Sequence, residues 1–345
     1  MIYIFIAFLL IAIYKIDFKG IKKCDEKALS HERTTMINGF FVALILFSHF
    51  NSYIQLSDTL ANHIYMKIFN EIAQLMVTTF LFYSGYGILE SIKSKPNYID
   101  NFFKNRFLKI FISFAIAICL YIILNISLGI KYPIKTILLS FTGWESIGNS
   151  NWFIFATFVM YIAVMISFKI FRKDKDTIKG ILLSTIGSLL YILVLVKLRQ
   201  HQWWFNTILC FNLGMFVSYY KKNILNFLKD NKNYLLVLGI LLLSLIICRK
   251  HGFNYIAYEL YALSFVFFVF MITLKVKVGN KVLEFLGKNT FNIYILQRIG
   301  YILFNKIGLL KYNMYLYFIA SVCFTLVLSV VFDKGLKIIL KKIIK

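Results

Sequence analysis

A histidine closes one of the most apolar runs in the chain. The stretch NGFFVALILFSHF, Asn38 to Phe50, ends in Ser48-His49-Phe50. Ionisable groups inside such a run are costly and mark functional positions. A neutral imidazole can take a proton from a hydroxyl; a histidine near the end of an apolar helix can also be a plain interfacial residue. Asn38 lies eleven residues before His49, which on a helix is nearly the same face, about 16 Å away. A second polar group sits in LGKNTFNIYILQRIGYILF, where Thr290, Tyr294, Gln297 and Tyr301 share a helical face with Arg298 beside them. A buried arginine needs a counter-charge or a phosphate, and Glu259, at a depth nearer the outside, is the acid best placed to face it. The stretch EIAQLMVTTFLFYSGYGILES carries Glu71, Gln74 and Thr78 on one stripe and Thr79, Tyr83, Tyr86 and Glu90 on another. Its Ser84-Gly85 pair suits a close helix crossing. Lys104, Arg106 and Lys109 open another apolar run, as an anion site or as ordinary flanking charge. In GNSNWF, the amides of Asn149 and Asn151 beside Trp152 could meet sugar hydroxyls or cap a helix start.

The elements that carry these groups follow from composition. Of 345 residues, 60% are A, V, I, L, M, F, W, Y or C and 16% are charged. Soluble domains have about 25% charged residues, so a water-soluble globule and a disordered chain are both excluded. Solid apolar runs, rather than alternating ones, exclude a membrane β-barrel. The fold class expected is all-α, a polytopic transmembrane helical bundle. A hydrocarbon core of ~30 Å needs about 20 apolar residues per helix. Eleven candidate spans emerge, near 1–16, 36–54, 71–91, 107–129, 152–170, 180–196, 204–220, 234–248, 255–274, 291–309 and 313–333. The two longest stretches on one side are 55–70 and 130–151, and Ile137 to Phe141 in the latter could lie on the membrane surface.

The net charge of +24 is distributed as membrane topology requires, not gathered on a nucleic-acid-binding face. Alternate loops hold 29 Lys and Arg against 8 on the other side. The basic side is cytoplasmic by the positive-inside rule, which puts the N-terminus outside and the C-terminus in the cytoplasm. The cysteines at 24, 119, 210, 248 and 323 have no metal-binding spacing and read as packing residues. The first 14 residues lack a basic start and a small-residue cleavage site, so a retained helix is expected there.

In this order and spacing the motifs resemble the type three membrane acyltransferases, which O-acylate, usually O-acetylate, cell-surface sugars. The resemblance rests on NGFFVALILFSHF, FLFYSGYG, NRFLKIF, NWFIF and LGKNTFNIY, across roughly residues 36–333. Residues 1–35 would then be an added N-terminal transmembrane helix and cytoplasmic loop, 36–333 the acyltransferase domain, and 334–345 a basic cytoplasmic tail. The resemblance casts His49 as the family's catalytic histidine, Arg106 as its basic residue on the donor side, and Ser84 and Trp152 as motif positions near the cavity. The family usually has Arg or Lys where this chain has Asn38, and often a His where it has Gln297, followed by Arg298. The candidate site is therefore His49, Gln297 and Arg298 at the catalytic centre. Arg106, Lys109, Ser84 and Tyr83 serve the donor, and Asn149, Asn151, Trp152 and Tyr294 the acceptor; no metal is called for.

The resemblance implies acetyl-CoA as acyl donor, no permanently bound cofactor, a glycan acceptor, and a multi-pass protein of a bacterial-type plasma membrane, possible as a homo-oligomer. Its nucleotide end would sit at the basic face while the pantetheine arm threads up to His49, which takes a proton from a sugar hydroxyl. Asn151, Gln297 or Tyr294 would stabilise the oxyanion; an acyl-enzyme on His49 or a serine is the alternative route. The rival class is a transporter, flippase or polymerase of lipid-linked sugars. Against it, the chain has two prolines, Pro96 and Pro133, both outside the spans, and no evident pair of broken helices. A scaffold subunit with a degenerate site is the blandest reading.

Overall fold

The computed structural model describes residues 1–18, 25, 27–172, 174–198, 200–250 and 254–343. Cys24 and Arg199 lie outside the described residues, as do Lys19, Lys22, Lys23, Lys173 and Lys345 of the basic clusters. Each apolar run becomes a helix because a backbone in a low-dielectric setting must satisfy its own hydrogen bonds. In chain order these are α1 (Ile2–Ile13), α2 (His31–Phe50), α3 (Leu60–Ile72), α4 (Thr78–Ser94), α5 (Leu108–Ser127), α6 (Ile134–Ser140), α7 (Trp152–Ile170) and α8 (Thr177–Lys197). There follow α9 (Leu209–Tyr219), α10 (Lys221–Lys229), α11 (Asn231–Lys250), α12 (Tyr255–Lys275), α13 (Lys281–Lys288), α14 (Thr290–Lys306), α15 (Leu309–Tyr312) and α16 (Met314–Ile343). A two-residue ribbon pairs β1 (Asp17–Phe18) antiparallel with β2 (Val276–Lys277).

All eleven expected runs are helical, and eight helical stretches among the described residues are long and apolar enough to cross a membrane, one of them joining α3, a 3₁₀ turn and α4 across Leu60–Ser94. The remaining runs form α1, α9 and α14, of 12, 11 and 17 residues. The run expected at 71–91 is not one helix: α3 ends at Ile72, and a tight 3₁₀ segment, Ala73–Val77, precedes α4. Most of the stretch 55–70, expected as a connection, is instead α3. The apolar middle of 130–151 forms α6, whose Ile134 and Leu138 stay exposed, and the basic tail continues α16 as far as Ile343.

Side-chain caps start several helices. Ser30 Oγ accepts from Arg33 N at the head of α2, and Asn280 Oδ1 accepts from Val282 N and Leu283 N at the head of α13. Helix α2 is central, with Met36, Ile37, the whole segment Phe41 to Phe47, and Phe50 buried. Helix α11 is peripheral, and Tyr234 is its single buried residue among those described.

Two glycine seams bring helices to backbone contact. A Cβ on Gly287 would lie 1.9 Å from Thr35 O, and one on Gly39 1.9 Å from Leu283 O, so α13 sits directly against α2. Gly85 and Gly214 do the same for α4 and α9, where a Cβ would meet Phe211 O at 1.9 Å and Phe82 O at 2.0 Å. Small residues permit this approach and larger ones do not. The expectation for Ser84-Gly85 thus divides between its members: Gly85 makes the crossing, while Ser84 faces the cavity described next.

Candidate active site

A cavity of about 560 Å³ opens among α2, α4, α5, α7, α14 and α16. Its walls take His31, Thr34, Thr35 and Asn38 from the first half of α2, then Tyr83 and Ser84 from α4, and Arg106 and Lys109 at the head of α5. Phe153 and Tyr161 come from α7, and Thr290 and Tyr294 from α14. The volume is within the range of small-molecule sites, which are mostly apolar with a few polar groups. All four residues assigned to the donor side therefore line one space.

Local contacts set their directions. Arg106 lies in a single π-turn, Phe103–Phe107, and its Nε donates to Tyr98 Oη at 2.9 Å. Ser84 Oγ and Tyr161 Oη are 3.2 Å apart, and the Tyr83 hydroxyl reaches Thr273. Lys109 is exposed at the rim. Asn38 Oδ1 is buried in the cavity wall without a hydrogen-bond partner.

A second cluster sits beyond the end of this cavity. Tyr294 lines the cavity, and its ring centroid lies 6.1 Å from that of His49, which does not line it. Phe153 packs edge-on against Tyr294 at 5.3 Å, and Phe80 against Phe153 at 6.2 Å. The imidazole is thus behind an aromatic wall, partly exposed, with Nδ1 buried and unpartnered. Gln297 is fully buried and within hydrogen-bonding reach of His49; its Nε2 donates to Tyr294 O at 3.2 Å. Asn38 and His49 share a helix, yet one faces the cavity and the other lies past its end.

Arg298 stands in the His49 cluster. Its Nε donates to Ser150 Oγ at 3.2 Å, and it is hydrogen-bonded to the Tyr53 side chain. The Tyr294 hydroxyl is also bonded to Ser150. The arginine is anchored through α14 itself, because Tyr301 Oη donates to Leu46 O at 2.8 Å and Tyr121 Oη donates to Ile295 O at 3.1 Å. Glu259 is not its counter-charge: the carboxylate accepts from Leu209 N at 2.7 Å, at the start of α9. There the unpaired amides of a helix terminus attract it.

The polar residues of 149–152 are used differently from the sequence expectation. Asn149 Oδ1 accepts from Ile147 N at 2.9 Å inside its own loop, with the residue 3% exposed. Asn151 Nδ2 donates to Trp144 O at 3.3 Å; it occupies the N-cap position of α7 without making a side-chain cap. Trp152 packs edge-on to Phe153 and does not line this cavity. Ser150, between the two amides, is the member of this loop that reaches Arg298. Ser150, Tyr53, Phe153 and Tyr161 were not singled out from sequence. Hydroxyl and phenyl groups carry no local signal, and each finds its partner across the bundle.

Comparison with known proteins bears on what such a site does. An acyltransferase-domain family, type three, matches residues 37–334. The chain belongs to this acyltransferase family. No curated protein and no solved structure matches it. His49, Ser84, Arg106, Tyr294, Gln297 and Arg298 all fall inside the matched segment, whereas His31, Thr34 and Thr35 of the cavity wall precede it. With its eight long apolar helices, the chain is a multi-pass membrane acyltransferase.

Proposed function

We propose that the protein transfers an acetyl group from acetyl-CoA to a hydroxyl of a cell-surface or exported glycan, in a bacterial-type plasma membrane. The observation that carries this reading is the cavity of about 560 Å³ that runs from Arg106 and Lys109 to Tyr294, the ring neighbour of His49. Its charged rim suits the phosphates of the donor, and its volume leaves room for a slender arm carrying a thioester. The same basic end carries the loops that the positive-inside rule puts in the cytoplasm, where acetyl-CoA is found. The eleven-span threading, with the N-terminus outside, belongs to this proposal.

In the reaction, His49 takes the proton of the acceptor hydroxyl as its oxygen attacks the thioester carbonyl. The tetrahedral oxyanion is stabilised by donors near the ring, for which Gln297 and Tyr294 are the closest candidates. The carbonyl re-forms as the C–S bond breaks, and the departing thiolate recovers the proton from the imidazolium. For thioester and hydroxyl to meet at His49, the Tyr294 ring must turn aside.

The test uses the purified protein in lipid nanodiscs with acetyl-labelled CoA. Label appearing as base-labile ester on an added oligosaccharide supports the reading. Oligosaccharide transport without any consumption of acetyl-CoA would replace it with a carrier.

A further inference from the structure

Arg298 is half-buried, and among the described residues no carboxylate pairs with it. A guanidinium presents five N–H donors in a planar fork. Here its protein partners are two neutral hydroxyls, Ser150 and Tyr53. Partial burial of an uncompensated charge is costly, so the arrangement has a reason only if an anion joins it. The acids at this end of the bundle are committed elsewhere or make no ion pair with it. Asp58 pairs with His63, Glu71 with Arg249, and Glu259 caps α9. Glu145, five residues before Ser150, makes no ion pair with Arg298.

The anion is not the donor's. Arg298 lines no part of the donor cavity, and Tyr294 stands at the end of that space. The guanidinium belongs to the His49 cluster, joined to it through the neighbouring Gln297 and through Ser150 on the Tyr294 hydroxyl, and in the proposed reaction this side of the wall receives the acceptor. Resting on the function proposed above, we infer that the acceptor is an anionic glycan, and that Arg298 binds its carboxylate or phosphodiester beside His49. A planar fork suits either anion, bidentate in the carboxylate case. Ser150 holds both Arg298 and the Tyr294 hydroxyl, so the anion-binding group is mechanically joined to the ring that closes the donor cavity.

The experiment measures equilibrium binding to the full-length protein in phosphatidylcholine nanodiscs, with no acyl donor present. Three probes are used: a neutral oligosaccharide, a size-matched one bearing a hexuronate carboxylate, and a glycerol-phosphate oligomer. At least one anionic probe should bind ~10-fold more tightly than the neutral one, a typical tenfold step in affinity. In Arg298→Gln that preference should shrink to within about 2-fold, and Arg298→Lys should keep part of it, having charge without the fork. Which anionic probe gains tells carboxylate from phosphodiester. Equal binding of all three by the wild type, or a preference that survives in Arg298→Gln, overturns the inference. If Arg298→Gln fails to fold, Arg298→Lys decides: an undiminished preference overturns the fork's role. Because no donor is present, a purely oxyanion-stabilising Arg298 would leave every binding constant unchanged and would likewise overturn it. Acetyl transfer to the neutral probe as readily as to the charged ones would sink this inference alone, whereas no consumption of acetyl-CoA with any acceptor would sink the underlying function.

Discussion

Tyr294 and His49 face each other at 6.1 Å between ring centroids, on opposite sides of the cavity's end wall. One ring belongs to the cavity of Arg106 and Ser84 and the other to the cluster that holds Arg298. In the proposed reaction, donor and acceptor approach this partition from its two sides, and what crosses it controls transfer.

Replacing that partition should separate transfer from waste. Tyr294→Ala removes the ring, taking one of the three edge-on partners of Phe153 and leaving the thioester open to water. The expected outcome is a rise in acetyl-CoA hydrolysis relative to acyl transfer by roughly tenfold, read as free acetate against glycan ester; a tenfold change corresponds to ~1.4 kcal/mol. An unchanged ratio would show that the ring is not a barrier.

His49→Ala should reduce acyl transfer by roughly 10² to 10⁴, the usual worth of a positioned general base. Acetyl-CoA binding should be little altered, since His49 does not line the donor cavity. Measured transfer close to wild type, in a variant that elutes as a folded particle, would remove His49 from the chemistry.

Arg106→Ala should act on the donor. The side chain is held by Tyr98 at the cavity rim, so its loss should raise KM for acetyl-CoA by ~10-fold with kcat nearly unchanged, the signature of lost uniform binding. A drop in kcat alone would place Arg106 in the transition state instead.

The helix seam offers a prediction independent of chemistry. Gly287→Ala would put a methyl 1.9 Å from Thr35 O. Overpacking of this kind costs about 1–3 kcal/mol, more where backbone is the obstacle. The thermal midpoint in detergent should fall by several degrees, whereas Gly239→Ala, where a Cβ meets nothing within 4 Å, should leave it in place.

How far the sequence could be read follows from the same contrasts. Apolar runs are local, so the helices were legible, and the family resemblance brought Arg106, Lys109, Ser84 and Tyr83 together, which the fold places around one cavity. Three features were not legible. The break at Ala73–Val77 lies within an apolar run and carries neither proline nor glycine, so nothing in the local pattern announces it. The loop amides looked suited to a ligand because Asn149 and Asn151 are strong hydrogen-bonding groups. In the fold both bond to backbone near them in sequence, and the plain hydroxyl of Ser150 reaches the arginine. Glu259 was matched to Arg298 for want of another acid, but a helix terminus closer by claimed it.

The glycine seams described above make the enclosure an unequal pair of jaws. Helices α2 and α4 are each bolted, backbone to backbone, to α13 and α9, and cannot spread without tearing those joints. On the opposite side, α5 and the Leu336–Leu340 end of α16 meet the hollow through Ile110, Leu336 and Leu340, side chains that can swing. Any widening needed to admit a bulky molecule falls more easily to that flank, where side chains rather than locked backbones line the hollow.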